Sequence, residues 1–208
     1  MTPRQALAFV RRHGLVLESG HGRPATRARP AIPSLAEAIA GGPIRGSWWA
    51  HPQSHAIFRV LGAVRASEDV LACRLVDGRV TLVHRRLWPA LVAAAESGQP
   101  WQTRDLKADA KQLLRRVRLG KPVQTDARRA ANDLERRLLA RSYTEHTPSG
   151  RHVRFLETWS AWARCSGIAA ADLPAAADAI QALSAPVMAW LEGQGRRPPG
   201  LLPWLAAR

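Results

Sequence analysis

Apolar residues recur at helical spacing along most of this chain, and twice the pattern changes to short runs around a turn. Residues 4–13 predict a helix that Gly14 closes. Residues 19–33 hold Gly, Pro and Arg with few apolar positions, and predict a basic loop carrying Arg23, Arg27 and Arg29. Ser34 and Glu37 predict a capping box at the start of a short helix that Gly41-Gly42-Pro43 ends. Ala56, Ile57, Val60, Leu61 and Val64 form the stripe of a helix from Pro52 to about Ser67. Val70–Val76 and Arg79–Arg85 then flank Asp77-Gly78, the clearest hairpin signal in the chain. A tight turn there sets Leu75 opposite Val80, Cys73 opposite Leu82 and Leu71 opposite His84 on one face. Arg74, Val76, Arg79 and Thr81 then share the other. Leu87–Ser97 predicts another helix before Gly98.

The second half repeats the plan. Lys107–Leu119 predicts a helix ending at Gly120, and Lys121–Thr125 a connector. Asp126–Arg141 predicts a long helix burying Ala127, Ala130, Ala131, Leu134 and Leu138. Ser142–His146 and Arg151–Trp159 predict two strands joined by Thr147-Pro148-Ser149-Gly150. Residues 168–192 predict Ala-rich helix broken near Pro174 and Pro186, and the Pro-rich tail is expected to pack irregularly or fray. The expected fold class is α+β, mostly helical. Two helix-and-hairpin units span 1–98 and 99–164, and a helical segment with the tail spans 165–208.

The order helix, helix, helix, hairpin over residues 3–86 resembles a winged helix, and the segment from 107 to 159 resembles a second one. The tandem plan is similar to that of the bacterial winged-helix DNA glycosylases, which unhook damaged bases and crosslinks. That resemblance implies DNA binding and a role in DNA repair. The family's proteins are longer, and their Gln-containing catalytic motif has no counterpart here, so no catalytic residue is carried over.

Charge sharpens the picture. The chain carries a formal net charge of +15, and 46% of its residues are hydrophobic, enough for a core. Residues 107–164 hold fourteen Lys and Arg against six carboxylates, whereas 165–208 are neutral. Such a localised surplus points to a polyanion partner, DNA foremost, duplex or damaged, with RNA as the second candidate. The N-terminus lacks an apolar leader pattern and no apolar run reaches spanning length, so no membrane partner is expected. Cys73 and Cys165 are expected to be buried thiols in a reducing cytoplasm, with the protein associated with the nucleoid.

Two groups of residues are candidates for function. Arg128, Arg129, Asn132 and Arg136 face away from the apolar stripe of the 126–141 helix. Arg151, His152 and Arg154 lie at or beside the following turn. Arg pairs bidentately with guanine or phosphate, and Asn with adenine. The second group is a candidate base pocket of Trp48, Trp49, His51, His55, His84 and Arg85, in which an aromatic ring could stack on a base. His51 and His55 have no third ligand nearby, so neither a metal nor another cofactor is expected. No nucleophile motif is present, and Glu37, the nearest carboxylate, has a capping role. The expectation is a DNA-binding protein acting in repair or transcriptional regulation. The alternative is a DNA glycosylase or abasic-site lyase.

Overall fold

The computed structural model describes residues 1–20, 32–147, 150–191 and 200–205. The loop arginines Arg23, Arg27 and Arg29, and Pro148 and Ser149 of the second turn, lie outside the described residues. The fold is α+β, with two small three-stranded antiparallel sheets. The chain divides into two units, one of residues 1–88 and 181–208, the other of residues 89–180. The segment set apart from residue 165 onward is thus shared between them. Among the described residues, no helix is long and apolar enough to cross a membrane.

In the first unit, α1 (Pro3–His13) starts with a capping box. The Gln5 amide donates to Thr2 Oγ1 at 3.3 Å, and the Thr2 amide donates to Gln5 Oε1 at 2.8 Å. Gly14 ends the helix at φ 78°, its N–H donating to the Val10 carbonyl. β1 (Leu15–Leu17) follows, then α2 (Leu35–Ala40), α3 (Ser54–Arg65), β2 (Val70–Arg74) and β3 (Val80–His84). The strand order is β1-β3-β2. Ala6 and Val10 of α1, Leu35 and Ile39 of α2, and Ile57, Val60, Leu61 and Val64 of α3 bury a common core with Val16 and Leu82 of the sheet. Ser34 caps α2 as expected, with the Glu37 amide donating to its hydroxyl. The Glu37 carboxylate, however, reaches forward and accepts from the Ile44 amide at 3.4 Å.

The hairpin forms, but its register is one residue from the expected one. Arg74 pairs with Val80, Cys73 with Thr81, Ala72 with Leu82, Leu71 with Val83 and Val70 with His84. Asp77 and Gly78 take the positive φ values of the expected turn, 52° and 62°, and the Arg79 amide closes it on the Val76 carbonyl at 3.0 Å. The shift arises because Leu75 and Val76 together oppose Arg79, as in a bulge. The Leu75 amide donates to the Arg79 carbonyl, while the Val76 amide donates to the Thr81 hydroxyl at 3.0 Å. Leu71 and Leu82 therefore lie on opposite faces, and both are buried, so the sheet is covered on both sides. Thr81, placed with Arg74, Val76 and Arg79 by the expected register, is fully buried.

The second unit contains α4 (Trp88–Ala95), which begins one residue before it, then α5 (Pro100–Thr103), α6 (Ala108–Val117), β4 (Val123–Gln124), α7 (Arg128–Arg136), β5 (Arg141–His146), β6 (His152–Glu157) and α8 (Trp159–Cys165). Its strand order is β4-β6-β5. Ala110, Leu113, Leu114 and Val117 of α6 pack on Ala130, Ala131 and Leu134 of α7 and on Leu156 of β6. α7 is shorter than its expected span because Leu138 adopts φ 52° and turns the chain into β5. Ala127 precedes the helix and is exposed. Trp159 belongs to α8, which Thr158 caps by accepting from the Ala161 amide at 3.2 Å.

α9 (Ala176–Leu191) continues through Pro186 without the expected break. Ala179, Leu183, Val187 and Leu191 bury one stripe on both sides of the proline, and that packing holds the helix together. Residues 200–205 are docked. The Asp77 amide donates to the Leu201 carbonyl at 2.7 Å, and Trp204 Nε1 donates to Ser184 Oγ at 2.9 Å. Neither cysteine is buried, in contrast to expectation. Cys73 is half-buried on β2, and Cys165 is exposed at the last position of α8.

Candidate functional site

The helical period sorts α7 into two sides. Ala130, Ala131, Leu134 and Glu135 are buried, while Arg128, Arg129 and Arg136 are exposed. Asn132 shares the arginine side, one turn from each of Arg128 and Arg136, but is half-buried and held by β6. Its Oδ1 accepts from Arg154 Nη2 at 3.0 Å. The same guanidinium pairs with the buried Glu135 carboxylate, which also accepts from the Ser142 hydroxyl. Arg154 therefore does not join Arg151 and His152 at the hairpin tip. It pairs with Thr144, two residues down the strand, on the sheet face that carries buried Leu156. Asn132 and Arg154 hold the hairpin to α7, and the exposed set reduces to Arg128, Arg129, Arg136, Arg151 and His152.

His146 and His152 oppose each other at the last rung of the hairpin, their ring centroids 4.0 Å apart. They lie on the same sheet face as Arg154. Beside α7 an open cleft of about 480 Å³ brings Lys107, Arg129 and Arg136 together with Asp105, Asp109 and Asp133. Asp133 is engaged by Arg137 Nε at 2.8 Å, and Arg137 also donates to the Trp101 carbonyl. Sequence reasoning passed over a row of exposed cations along α6: Lys107, Lys111, Arg115 and Arg118. Their spacing of four, four and three residues was the available signal.

The second group of candidate residues does not assemble. Trp48 and Trp49 form a short 3₁₀ turn just before α3, where the Trp49 amide donates to Ser47 Oγ. His51 is half-buried, its Nδ1 accepting from the Gln53 amide, and His55 is exposed on the first turn of α3. His84 and Arg85 lie at the other end of β3 from Arg79, whose side chain lines an open cleft with Trp48. The His84 amide donates to the Gly14 carbonyl at 2.8 Å, and Arg85 pairs with Asp69. Burial, then the Arg86, Arg11 and Arg85 charges, hold the His84 pKa below its usual value, with Asp69 opposing them. Its Nδ1 accepts from the Arg86 amide, the behaviour of a neutral ring. β3 itself is the reason for the separation, because an extended strand sets residues 79 and 84 at its opposite ends.

The tryptophan segment has a different neighbour. Trp48 and Trp49 stack with ring centroids 4.0 Å apart and planes 24° from parallel, and Trp49 meets Phe58 of α3 at 5.5 Å. Phe58 falls off the buried stripe of α3, and that was its legible sequence signal. Among the described residues, no group of three or more His, Cys, Asp and Glu is placed to hold a metal. Comparison with protein-family models, with curated proteins and with solved structures finds no match for this chain.

Proposed function

We propose that this chain binds nucleic acid, duplex DNA foremost, through two winged-helix units, with the second unit supplying the main electrostatic contacts. The element order α1-β1-α2-α3-β2-β3, with β3 central in its sheet, supports the winged-helix reading of the first unit. The second unit sets α7 against a two-stranded wing in the same way. One observation carries the proposal. α7 exposes Arg128, Arg129 and Arg136 on a single side, and the hairpin tied to that helix exposes Arg151 and His152 at its tip.

In this reading α7 enters the major groove and the β5–β6 hairpin reaches the neighbouring backbone. Arg side chains there contact phosphate or guanine edges, and the cation row of α6 adds backbone charge contacts. The test is binding to a labelled duplex across a salt series. Affinity should fall roughly 10³-fold or more between 50 and 200 mM salt if several phosphates are contacted. A salt-independent affinity would overturn the proposal.

A further inference from the structure

Trp49 and Phe58 are 60% and 59% exposed, although each could bury a large apolar area. Trp48 anchors them: it is half-buried against the first unit's core and stacked beneath Trp49. The three rings make a continuous surface that starts in the core and ends in solvent. α3 continues this surface with exposed Gly62 and Ala63, one turn beyond Phe58. A Cβ at Gly62 would meet nothing within 4 Å, so no contact within the described structure requires glycine there. A mid-helix glycine is destabilising relative to alanine, and an empty position beside exposed rings leaves room for close approach from outside.

The charge along the segment that carries the rings is of one sign. No Asp or Glu occurs from residue 38 to residue 67, whereas Arg45, Arg59 and Arg65 do. Arg65 pairs with Glu18, while Arg45 and Arg59 are exposed on either side of the aromatic segment in sequence. Flat rings bordered by cations suit a flat, anionic polymer with its bases unpaired. The exposed cations Arg45 and Arg59 favour that polymer over a purely apolar protein partner.

We infer that Trp49 and Phe58, backed by Trp48, form a stacking platform for unpaired bases of single-stranded or locally opened nucleic acid, with Arg45 and Arg59 meeting its phosphates. The inference rests on the nucleic-acid reading and gives the aromatic face of the first unit a further ligand form, the unpaired strand. The rings form an open face, so bases stack on them from solvent.

The experiment compares full-length wild type, Trp49→Ala, Phe58→Ala and Arg128→Ala/Arg136→Ala for binding to an oligo-dT strand and to a duplex of equal length, with thermal melting of each. Stacking on one aromatic ring corresponds to about 5- to 150-fold in affinity. Each ring variant should therefore weaken oligo-dT binding by that factor, melt as wild type does, and lose far less on the duplex, whose main electrostatic contacts lie on the second unit. Trp49→Phe should restore much of the loss. The α7 double variant should show the larger loss on duplex. If Trp49→Ala fails to fold, Phe58→Ala, which removes only an exposed ring, decides the matter. Folded ring variants with wild-type oligo-dT affinity would overturn the inference while leaving the duplex proposal standing. So would ring variants whose sole effect is to abolish self-association in sedimentation. Wild-type protein that binds neither oligonucleotide would instead defeat the underlying nucleic-acid reading.

Discussion

Asn132 Oδ1 accepts a hydrogen bond from Arg154 Nη2 at 3.0 Å, which ties the side of α7 to the central strand of its sheet. Glu135, one turn further along the helix and 7% exposed, receives the same guanidinium as an ion pair. Replacing Arg154 with Ala removes a cation from that buried carboxylate. Breaking such a pair costs roughly 3–5 kcal/mol when fully buried, and Arg154 retains some solvent contact, so about 2–4 kcal/mol is expected. Urea unfolding of Arg154→Ala measures this. The double variant Arg154→Met/Glu135→Leu should recover most of the loss, because an apolar pair removes the buried charge.

Thr81 plays the comparable part in the first unit. Its buried hydroxyl accepts from the Val76 amide and donates to the Arg79 carbonyl at 3.1 Å, which holds the bulged register of the hairpin. Thr81→Val keeps the shape and orphans the Val76 N–H. The expected cost is about 1–3 kcal/mol, read as a lower urea midpoint. Thr81→Ser keeps the hydroxyl and should lose less.

Caps and turns made the helices and hairpins legible. Ser34, Gly14 and Asp77-Gly78 act locally, and each stands where the chain changes element. β1 and β4 were missed because strands of three and two residues carry no alternation, and all three residues of β1 are buried. The hairpin register escaped because Asp77-Gly78 fixes the turn but not whether a bulge follows it. The candidate site was half legible. Periodicity placed Arg128, Arg129 and Arg136 outward, but the Asn132–Arg154–Glu135 network depends on strand pairing that sequence spacing does not reveal. Phe58 lies beside the buried stripe of α3, where periodicity alone assigns an apolar residue no partner.

His84 makes first-unit stability depend on pH. Burial is the main cause that lowers its pKa, so the folded state binds the proton more weakly than the unfolded chain does. Its contribution is complete above the unfolded value of about 6.5 and is lost as pH falls through that value toward the folded pKa. His13, lowered by burial and by Arg12, acts in the same direction. The urea midpoint should drop between pH 7.5 and pH 5. His84→Asn keeps an acceptor for the Arg86 amide and should flatten part of that drop.

The exposed arginines of α7 should separate binding from stability. Arg128 and Arg136 are exposed, and the network that holds α7 to the sheet runs through Asn132, Glu135 and Arg154 instead. Arg128→Ala/Arg136→Ala should therefore melt with the wild type. If both side chains meet phosphates, each loss lowers the slope of log affinity against log salt by about one, and duplex binding weakens at every sequence. If either reads a base edge, its loss costs about 1–3 kcal/mol and relaxes preference at that position. Arg196→Ala/Arg197→Ala, in the neutral tail and outside the described residues, is the control for general charge. Equal weakening by the two pairs would mean that charge acts diffusely and that α7 is not the docking helix. A loss confined to the α7 pair, with a normal melt and a shallower salt slope, is the expected result.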